Sequence, residues 1–313
     1  MTDRLMLLDT ASLYFRAYFG VPDSIRAPDG TPVNAVRGLL DFIARLVGDY
    51  HPTHLACCWD NDWRPQWRVD LLPSYKAHRV EAELPSAKPG GAHFEEEVPD
   101  PLEAQIPVIL DVLEAFGIAV VGADQHEADD VIGTLATGAG MPVDVVTGDR
   151  DLFQLVDDEA QVRILYTARG VGKHERVTNE VVREKYGIDG RQYADFAALR
   201  GDPSDGLPGV SGVGEKTAAT LLRRFGDLPA IIEAAEDPDA DMAPGPRRKI
   251  KDAAEYLAVA PKVVGVVRDL DLGALDLTLP QTPAHADRLV ELSERWGLGG
   301  SVTRLVDALT DLR

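Results

Sequence analysis

The chain reads as an α/β protein: a mostly parallel central sheet with flanking helices, followed by a helical region. Three observations predict this. Short apolar, β-branched runs recur between Leu5 and Leu165, as strands buried on both faces require. Stretches of helical period lie between them, giving the βαβ pattern of a parallel sheet. From about residue 178 strong strand-like runs stop and the texture stays helical.

Taken in order, Leu5-Met6-Leu7-Leu8 is the first strand and runs into Asp9. A helix is predicted over 34–49. Thr53 to Trp59 is the second strand and runs into Asp60. From about 79 to 101 the pattern fails, with Pro85, Pro89, Gly90, Gly91, Pro99 and Pro101 punctuating a polar stretch. A segment this long is either functional or disordered. A helix follows over 102–116, then the strand Ile118-Ala119-Val120-Val121, then a helix over 126–138. Val143 to Gly148 forms a strand that runs into Asp149, with Asp151 two residues on. A helix over 150–156 and the strand Val162-Arg163-Ile164-Leu165 complete the alternation. The domain change is placed near 175–190, giving an α/β core over 1–177 and a helical region over 178–313. A second turn-rich stretch, Glu236 to Pro246, interrupts the helical part, and no repeat or coiled-coil heptad is visible.

The 313 residues suffice for one large α/β domain and a smaller one, and 45% hydrophobic content supports a real core. No apolar run reaches the roughly 20 residues of a membrane span. Met1-Thr2-Asp3-Arg4 leads straight into a strand, so no signal peptide is expected and the reading is cytoplasmic. Cys57 and Cys58 are adjacent on a strand and must face opposite sides, which makes them core filler rather than a zinc site or disulfide. The net charge of -20 argues at first against a nucleic-acid partner. Many acids fall in the proposed site, however, and others in Glu95-Glu96-Glu97-Val98-Pro99-Asp100 and Asp237-Pro238-Asp239-Ala240-Asp241, while basic residues form separate groups.

Asp9, Asp60 and Asp149 each end an apolar run, and Asp130 opens a helix. Open α/β sheets bind ligands at the carboxyl ends of their strands. Carboxylates placed there from distant segments build one acidic site, and clustered carboxylates cannot all stay ionised alone. Hard divalent cations are the usual remedy, and two such ions suit in-line displacement at phosphate. Glu127, Asp129 and Asp130 sit in a helical first turn, where acids also favour the helix dipole; that plainer reading stays open. Thr147-Gly148-Asp149-Arg150-Asp151 is more telling, since capping explains one of its acids and not both. Asp202 and Asp205 lie on a Gly201–Gly206 loop that alone would read as a turn.

Leu207 to Ala219 reads as a tight glycine-rich hairpin opening a helix, with Gly212 and Gly214 before Lys216 and Thr217. Glycines permit close approach, and amides at a helix start hold a phosphate. This is a helix-hairpin-helix arrangement, placed at about 196–225, which grips a DNA backbone without reading bases. A plain helix–turn–helix connection is the alternative.

These residues resemble the 5′-nuclease family: bacterial DNA polymerase I 5′-nuclease domains, phage 5′ nucleases and flap endonucleases. The resemblance runs from about residue 4 to 268. It rests on Leu8-Asp9 with Tyr14, Arg16 and Tyr18; Asp60 with Trp63-Arg64; Tyr75-Lys76-Ala77-His78-Arg79; Glu127-Ala128-Asp129-Asp130-Val131-Ile132-Gly133; Thr147 to Asp151; and Gly201 to Lys216. It implies a PIN-like core with a helical arch at about 72–105, and a free-standing, monomeric enzyme that cuts DNA at 5′ flaps, nicks or 5′ ends by 5′-3′ exonuclease and flap endonuclease action. The implied metal ligands are Asp9, Asp60, Glu127, Asp129, Asp130, Asp149, Asp151, Asp202 and Asp205, for two or more Mg2+ or Mn2+ ions. Lys76 and Arg79 carry over as arch residues that offset charge on the phosphate, and Tyr75 as a stacking residue. A potassium site carries over through the main-chain carbonyls of Leu199, Arg200, Pro208, Val210 and Val213. The chain departs from the family at Thr10, where Gly is common after the first Asp, and in the long acidic segment Glu81–Asp100. Residues 269–313 match no family motif.

On this reading Glu127, Asp130, Asp149 and Asp151 hold the metals most directly and the other acids complete the shell, some through water. Arg16 and Arg64 either hold the adjacent DNA backbone or form surface salt bridges. Arg247, Arg248, Lys249 and Lys251 form a second basic patch, which is either a backbone contact or a solvated helix face. Two competing classes remain: a non-catalytic structure-specific DNA-binding protein, and a PIN-type ribonuclease.

Overall fold

The computed structural model describes residues 3–81 and 100–311. Five apolar segments form parallel strands: β1 (Leu5–Asp9), β2 (His54–Trp59), β3 (Ala119–Gly122), β4 (Val143–Thr147) and β5 (Val162–Tyr166). A short antiparallel β6 (Glu175–Val177) closes one edge, and the order is β3-β2-β1-β4-β5-β6. The strand order reverses between β1 and β4, so the crevice over their carboxyl ends is the topological switch point of the sheet. Register places Leu8 beside Val146 and Asp9 beside Cys58.

The first helices are α1 (Thr10–Gly20), α2 (Asn34–Tyr50), α3 (Gln66–Leu71), α4 (Ala77–Glu81), α5 (Asp100–Glu103), α6 (Ile106–Phe116) and α7 (Ala128–Ala136). Helix α2 buries Val36, Leu39, Leu40, Ile43, Leu46 and Val47, the stripe its period predicts. Helix α1 has no counterpart in the sequence reading; Asp9 starts it by accepting from the Ser12 N–H at 3.2 Å. The helix expected over 102–116 is two pieces. Pro107 sits in the first turn of α6, and Gln105 is turned inward to accept the Ala35 N–H at 2.8 Å at the head of α2. The helix expected over 150–156 is a 3-10 turn, Asp151–Leu155. Most of the arch expected at about 72–105 lies outside the described residues.

Helices α8 (Asn179–Tyr186), α9 (Tyr193–Arg200), α10 (Glu215–Phe225), α11 (Leu228–Glu236), α12 (Pro244–Asp252) and α13 (Ala254–Val264) form the helical region. Its core is continuous with one face of the sheet, through Phe153, Tyr193, Phe196, Leu199 and Leu222. The rings of Phe153 and Tyr193 meet edge to face at 5.4 Å.

The last part of the chain departs from expectation. It does not stay with the helical region but returns to the sheet. The Leu55 N–H donates to the Leu277 carbonyl at 2.8 Å, and the Leu279 N–H to that of Thr53 at 2.9 Å. Helices α14 (Ala286–Trp296) and α15 (Gly299–Thr310), with Leu298 between them, then bury Leu289, Leu292, Leu298, Leu305 and Leu309 in the core formed by α1, α2 and α6. Cys57 and Cys58 are buried and unbonded, one in each core.

Candidate functional site

The parallel strands deliver their acids to one crevice. Asp9 ends β1, Asp60 follows β2, Asp149 and Asp151 follow β4, and Asp129 stands in the first turn of α7. Asp202 and Asp205 arrive on the loop between α9 and α10. Local hydrogen bonds fix the turns that carry them. Thr147 donates its hydroxyl to Asp9 at 2.7 Å and its oxygen accepts the Asp149 N–H at 2.9 Å. The Asp151 N–H donates to Asp149 at 2.8 Å, and Asp60 accepts the Ala128 N–H of α7 at 2.7 Å. Gly148 lies so close to Ser12 that a Cβ there would fall 2.7 Å from its hydroxyl.

The electrostatics show that these groups share one space. Burial and then Asp60 push the Asp9 carboxyl up to about 7, against hydrogen bonds from Thr147 and Ser12. Burial raises Asp129 well above the carboxylate range, with Asp149 and Asp9 adding. Asp149 is raised by burial and then by Asp205, and Asp151 well raised by burial and then by Asp149, Asp205 and Asp202. Among the described residues no ion pair neutralises Asp9, Asp129, Asp149 or Asp151. Nor do three of the described carboxylates already close on one point as metal ligands do. Asp151 leaves one buried carboxylate oxygen, Oδ1, with no hydrogen-bond partner. An orphaned buried oxygen within a set of hard oxygen donors fits a divalent cation of the magnesium or manganese type.

Two expected site residues stand elsewhere. Asp130, expected among the most direct metal ligands, is fully buried and grips Arg68 with both oxygens, at 2.7 and 2.8 Å. Its lone pairs are further taken by the Val267 and Glu127 N–H groups. Tyr75, expected to stack on a base, is 3% exposed. Its hydroxyl contacts both oxygens of Glu127, so its ring faces the core rather than DNA. Glu127 is itself crowded by donors: Tyr75, Lys76 at 2.7 Å and Arg68 at 3.3 Å. Burial raises its pKa although both cations pull it down.

Lys76 reaches this group from a left-handed backbone, φ 47°, a conformation costing roughly 1–3 kcal/mol in a residue with a side chain. Arg64 braces that turn by donating to the carbonyls of Tyr75 at 2.7 Å and Pro73 at 3.3 Å, and among the described residues it forms no salt bridge. The Lys76 N–H donates to the Asp205 carbonyl, Ser74 donates to Gly206, and Arg79 pairs with Asp205 at 3.2 Å. A Cβ on Gly206 would lie 1.9 Å from the Ser74 carbonyl, so only glycine lets the two loops meet. Arg16 lies beside Gly148, near Asp149.

The hairpin between α9 and α10 turns on Gly209 and Gly212, both at positive φ, and Gly214 caps α10. Gly212, Gly214 and Lys216 are exposed, and Thr217 half-exposed, at the head of α10. Arg200 links Asp202 to Glu215 across the hairpin, at 2.9 and 3.2 Å. Of the carbonyls expected to hold potassium, those of Leu199 and Val210 accept backbone N–H groups. The second basic patch is divided. Arg247 points inward onto the carbonyls of Ala234, Ala235 and Ala240, Lys251 pairs with Glu236, Lys249 donates to the Gly212 carbonyl, and Arg248 is exposed. Sequence reasoning missed the roles of Arg68, Thr147, Gly206 and Gln154. Thr147 and Gly206 carried a signal, as the first residue of the Thr147–Asp151 motif and the last of the acidic loop.

Residues 4–187 match the family model for the 5′-3′ exonuclease N-terminal resolvase-like domain, and residues 188–286 that for the 5′-3′ exonuclease C-terminal SAM fold. The chain therefore belongs to the 5′-3′ exonuclease family and is a nuclease of that class. It is 61% identical over 305 residues to a 5′-3′ exonuclease of Streptomyces coelicolor, covering 97% of this chain and 100% of that one. It is 51% identical to a 5′-3′ exonuclease of Mycobacterium tuberculosis, covering 100% of this chain and 99% of that one. The fold matches the bacteriophage T5 flap endonuclease, solved as a pseudo-enzyme-product complex with DNA and metal ions, at a TM-score of 0.65 and 17% identity over 99% of this chain and 97% of that one. No helix among the described residues is long and apolar enough to cross a membrane.

Proposed function

We propose that the chain is a divalent-metal-dependent, structure-specific 5′ nuclease. It hydrolyses DNA phosphodiester bonds at 5′ ends, nicks and 5′ flaps, as a cytoplasmic monomer. The observation that carries this reading is the set of un-neutralised carboxylates at the switch point, with the orphaned oxygen of Asp151 among them. Asp9, Asp129, Asp149 and Asp151 would hold Mg2+ or Mn2+, with Asp60, Asp202 and Asp205 completing the shell. Divalent cations held there would supply an acidified water as nucleophile and neutralise charge on the displaced oxygen.

The protein's own groups do the rest. Lys76 and Arg79, which pair with Glu127 and Asp205, would offset charge on the phosphate. Glu127 holds Lys76 in place. The exposed amides of the hairpin, with Lys216, grip the duplex backbone away from the cut and set its distance. Main-chain carbonyls of Leu199, Arg200, Pro208, Val210 and Val213 would take K+ at the hairpin. Terminal bases unpair before cleavage, since a stacked end keeps its phosphate from the crevice.

A labelled 5′-flap duplex tests the reading. The wild-type chain is expected to cut it in Mg2+ or Mn2+ and not in EDTA. Asp149→Asn is expected to lose at least about 100-fold in rate while DNA affinity in EDTA stays within a few-fold. Wild-type material inert with both metals, or an Asp149→Asn variant with full turnover, would sink it.

A further inference from the structure

Arg68, in α3, is 2% exposed, and every nitrogen of its guanidinium is hydrogen-bonded. A guanidinium offers five N–H donors. Here all five find acceptors. Nη1 donates to Asp130 and Glu127, Nη2 to Asp130 and the Gly265 carbonyl, and Nε to the Val263 carbonyl. Asp130 also accepts the Val267 N–H at 2.9 Å. From the other side Gln154 donates to the Val264 carbonyl and accepts the Val266 N–H, while its amide also donates to the Asp151 carbonyl.

Residues 263–267 are thus a strap whose successive peptides are tied alternately to the Arg68–Asp130 pair and to Gln154 in the turn carrying Asp151. The strap begins at the end of α13, and Tyr256 of α13 donates to the Ala198 carbonyl in α9, the helix that enters the hairpin. Two acid-bearing turns from different parts of the sequence share one clamp. That clamp is rooted in the helical region.

We propose that Arg68 is a positioning residue for the acidic site: paired with Asp130, it sets the first turn of α7 against the strap and so fixes where Glu127 and Asp129 point. Asp130 serves as its counter-ion and does not touch the metal. The inference rests on the metal-dependent reading above. It differs from a purely structural ion pair in one consequence. A buried pair that only stabilises the fold leaves metal affinity alone when weakened, whereas a pair that aims ligands does not.

The experiment measures Mn2+ binding to the DNA-free protein by electron paramagnetic resonance, together with thermal midpoint, DNA affinity in EDTA and the Mg2+ dependence of flap cleavage. Asp130→Asn keeps the shape and an acceptor for Val267 but drops the charge. Arg68→Lys keeps the charge but cannot reproduce five donors in a planar fork. The double change Arg68→Met with Asp130→Leu replaces the pair by apolar groups and serves if either single variant fails to fold. The folded variants are expected to bind the same number of Mn2+ ions about 10- to 100-fold more weakly, to need correspondingly more Mg2+ for half-maximal cleavage, and to bind DNA as before. Wild-type Mn2+ affinity with only a lowered melting point would overturn the proposal. So would the loss of one ion from the stoichiometry of Asp130→Asn, which would make Asp130 a ligand. Wild-type protein that binds no Mn2+ at all would instead remove the metal reading on which the proposal stands.

Discussion

Asp9 is where burial and like charge act on the same carboxyl. It is 7% exposed, faces Asp60 and Asp149, and titrates at about 7 in the folded chain against an ordinary 3.8. The sign follows from proton counting. Between those values the folded state holds a proton that the unfolded state has lost, so stability falls as pH rises through the window, and above about 7 the whole cost is present. Each unit of pH across it is worth about 1.4 kcal/mol. In EDTA the melting temperature of the wild-type protein is therefore expected to drop between pH 5 and pH 8, and Asp9→Asn to flatten that drop. Added Mn2+ at pH 8 should raise the wild-type midpoint more than that of Asp9→Asn, because bound cations favour the ionised carboxylates that the folded state otherwise resists. Scanning calorimetry over this pH range checks it. A wild-type curve that is flat or rising, or a fall that persists unchanged in Asp9→Asn, would show that the crevice charges are not coupled to folding in this way.

The hairpin between α9 and α10 shows what an element contributes apart from its residues. Its glycines allow the turn, its exposed amides face outward, and Lys216 stands at the head of α10 with no ion pair among the described residues. Removing one cation that neutralises a phosphate should lower the slope of log affinity against log salt by about 0.9. Lys216→Ala is expected to weaken duplex binding in EDTA by that pattern, with affinity falling at low salt and converging on wild type at high salt. An unchanged salt slope in a fluorescence anisotropy titration would leave the hairpin as a plain connection. Elements of this kind were legible because glycine spacing and a following helix are local signals. The parallel strands were legible for the same reason, three of their apolar runs leading into an acid that the sheet carries to its edge. Helix α1 was not, since its start depends on Asp9 accepting from Ser12, and the break before α6 depends on Gln105 reaching α2, 70 residues away in sequence. Asp130 beside Asp129 is the sharpest case. One faces the crevice and the other faces Arg68, because neighbours on a helix lie about 100° apart around its axis. The sequence pattern identified both acids but gave Asp130 the direct role and Asp129 the outer one, the opposite of the faces on which the helix sets them.

At the scale of the whole molecule, the chain is bound together at both ends of its helical region. The strap at 263–267 ties that region to the acidic turns, and the following stretch crosses the sheet edge to place α14 and α15 on α6 and α2. The residues after 268, in which the sequence reading found no motif although the family model extends to 286, therefore complete the core. Adjacent positions in α15 separate packing from surface charge. Arg304 pairs with Asp41 of α2 at 2.7 Å, but the two side chains are 53% and 38% exposed, and such pairs contribute about 0–1 kcal/mol. Leu305 is fully buried in the core shared with α2, and Leu→Ala at such sites costs about 2–5 kcal/mol. If α15 belongs to the cooperative unit of the core, Leu305→Ala should lower the midpoint of one transition that takes flap cleavage and helical signal down together. Arg304→Ala should move that midpoint by little. Thermal melts read by circular dichroism and by residual cleavage after heating give both quantities on the same samples. Were Leu305→Ala to split the melt into two steps, with cleavage surviving the first, the C-terminal helices would be an appendage and the nuclease core would fold without them.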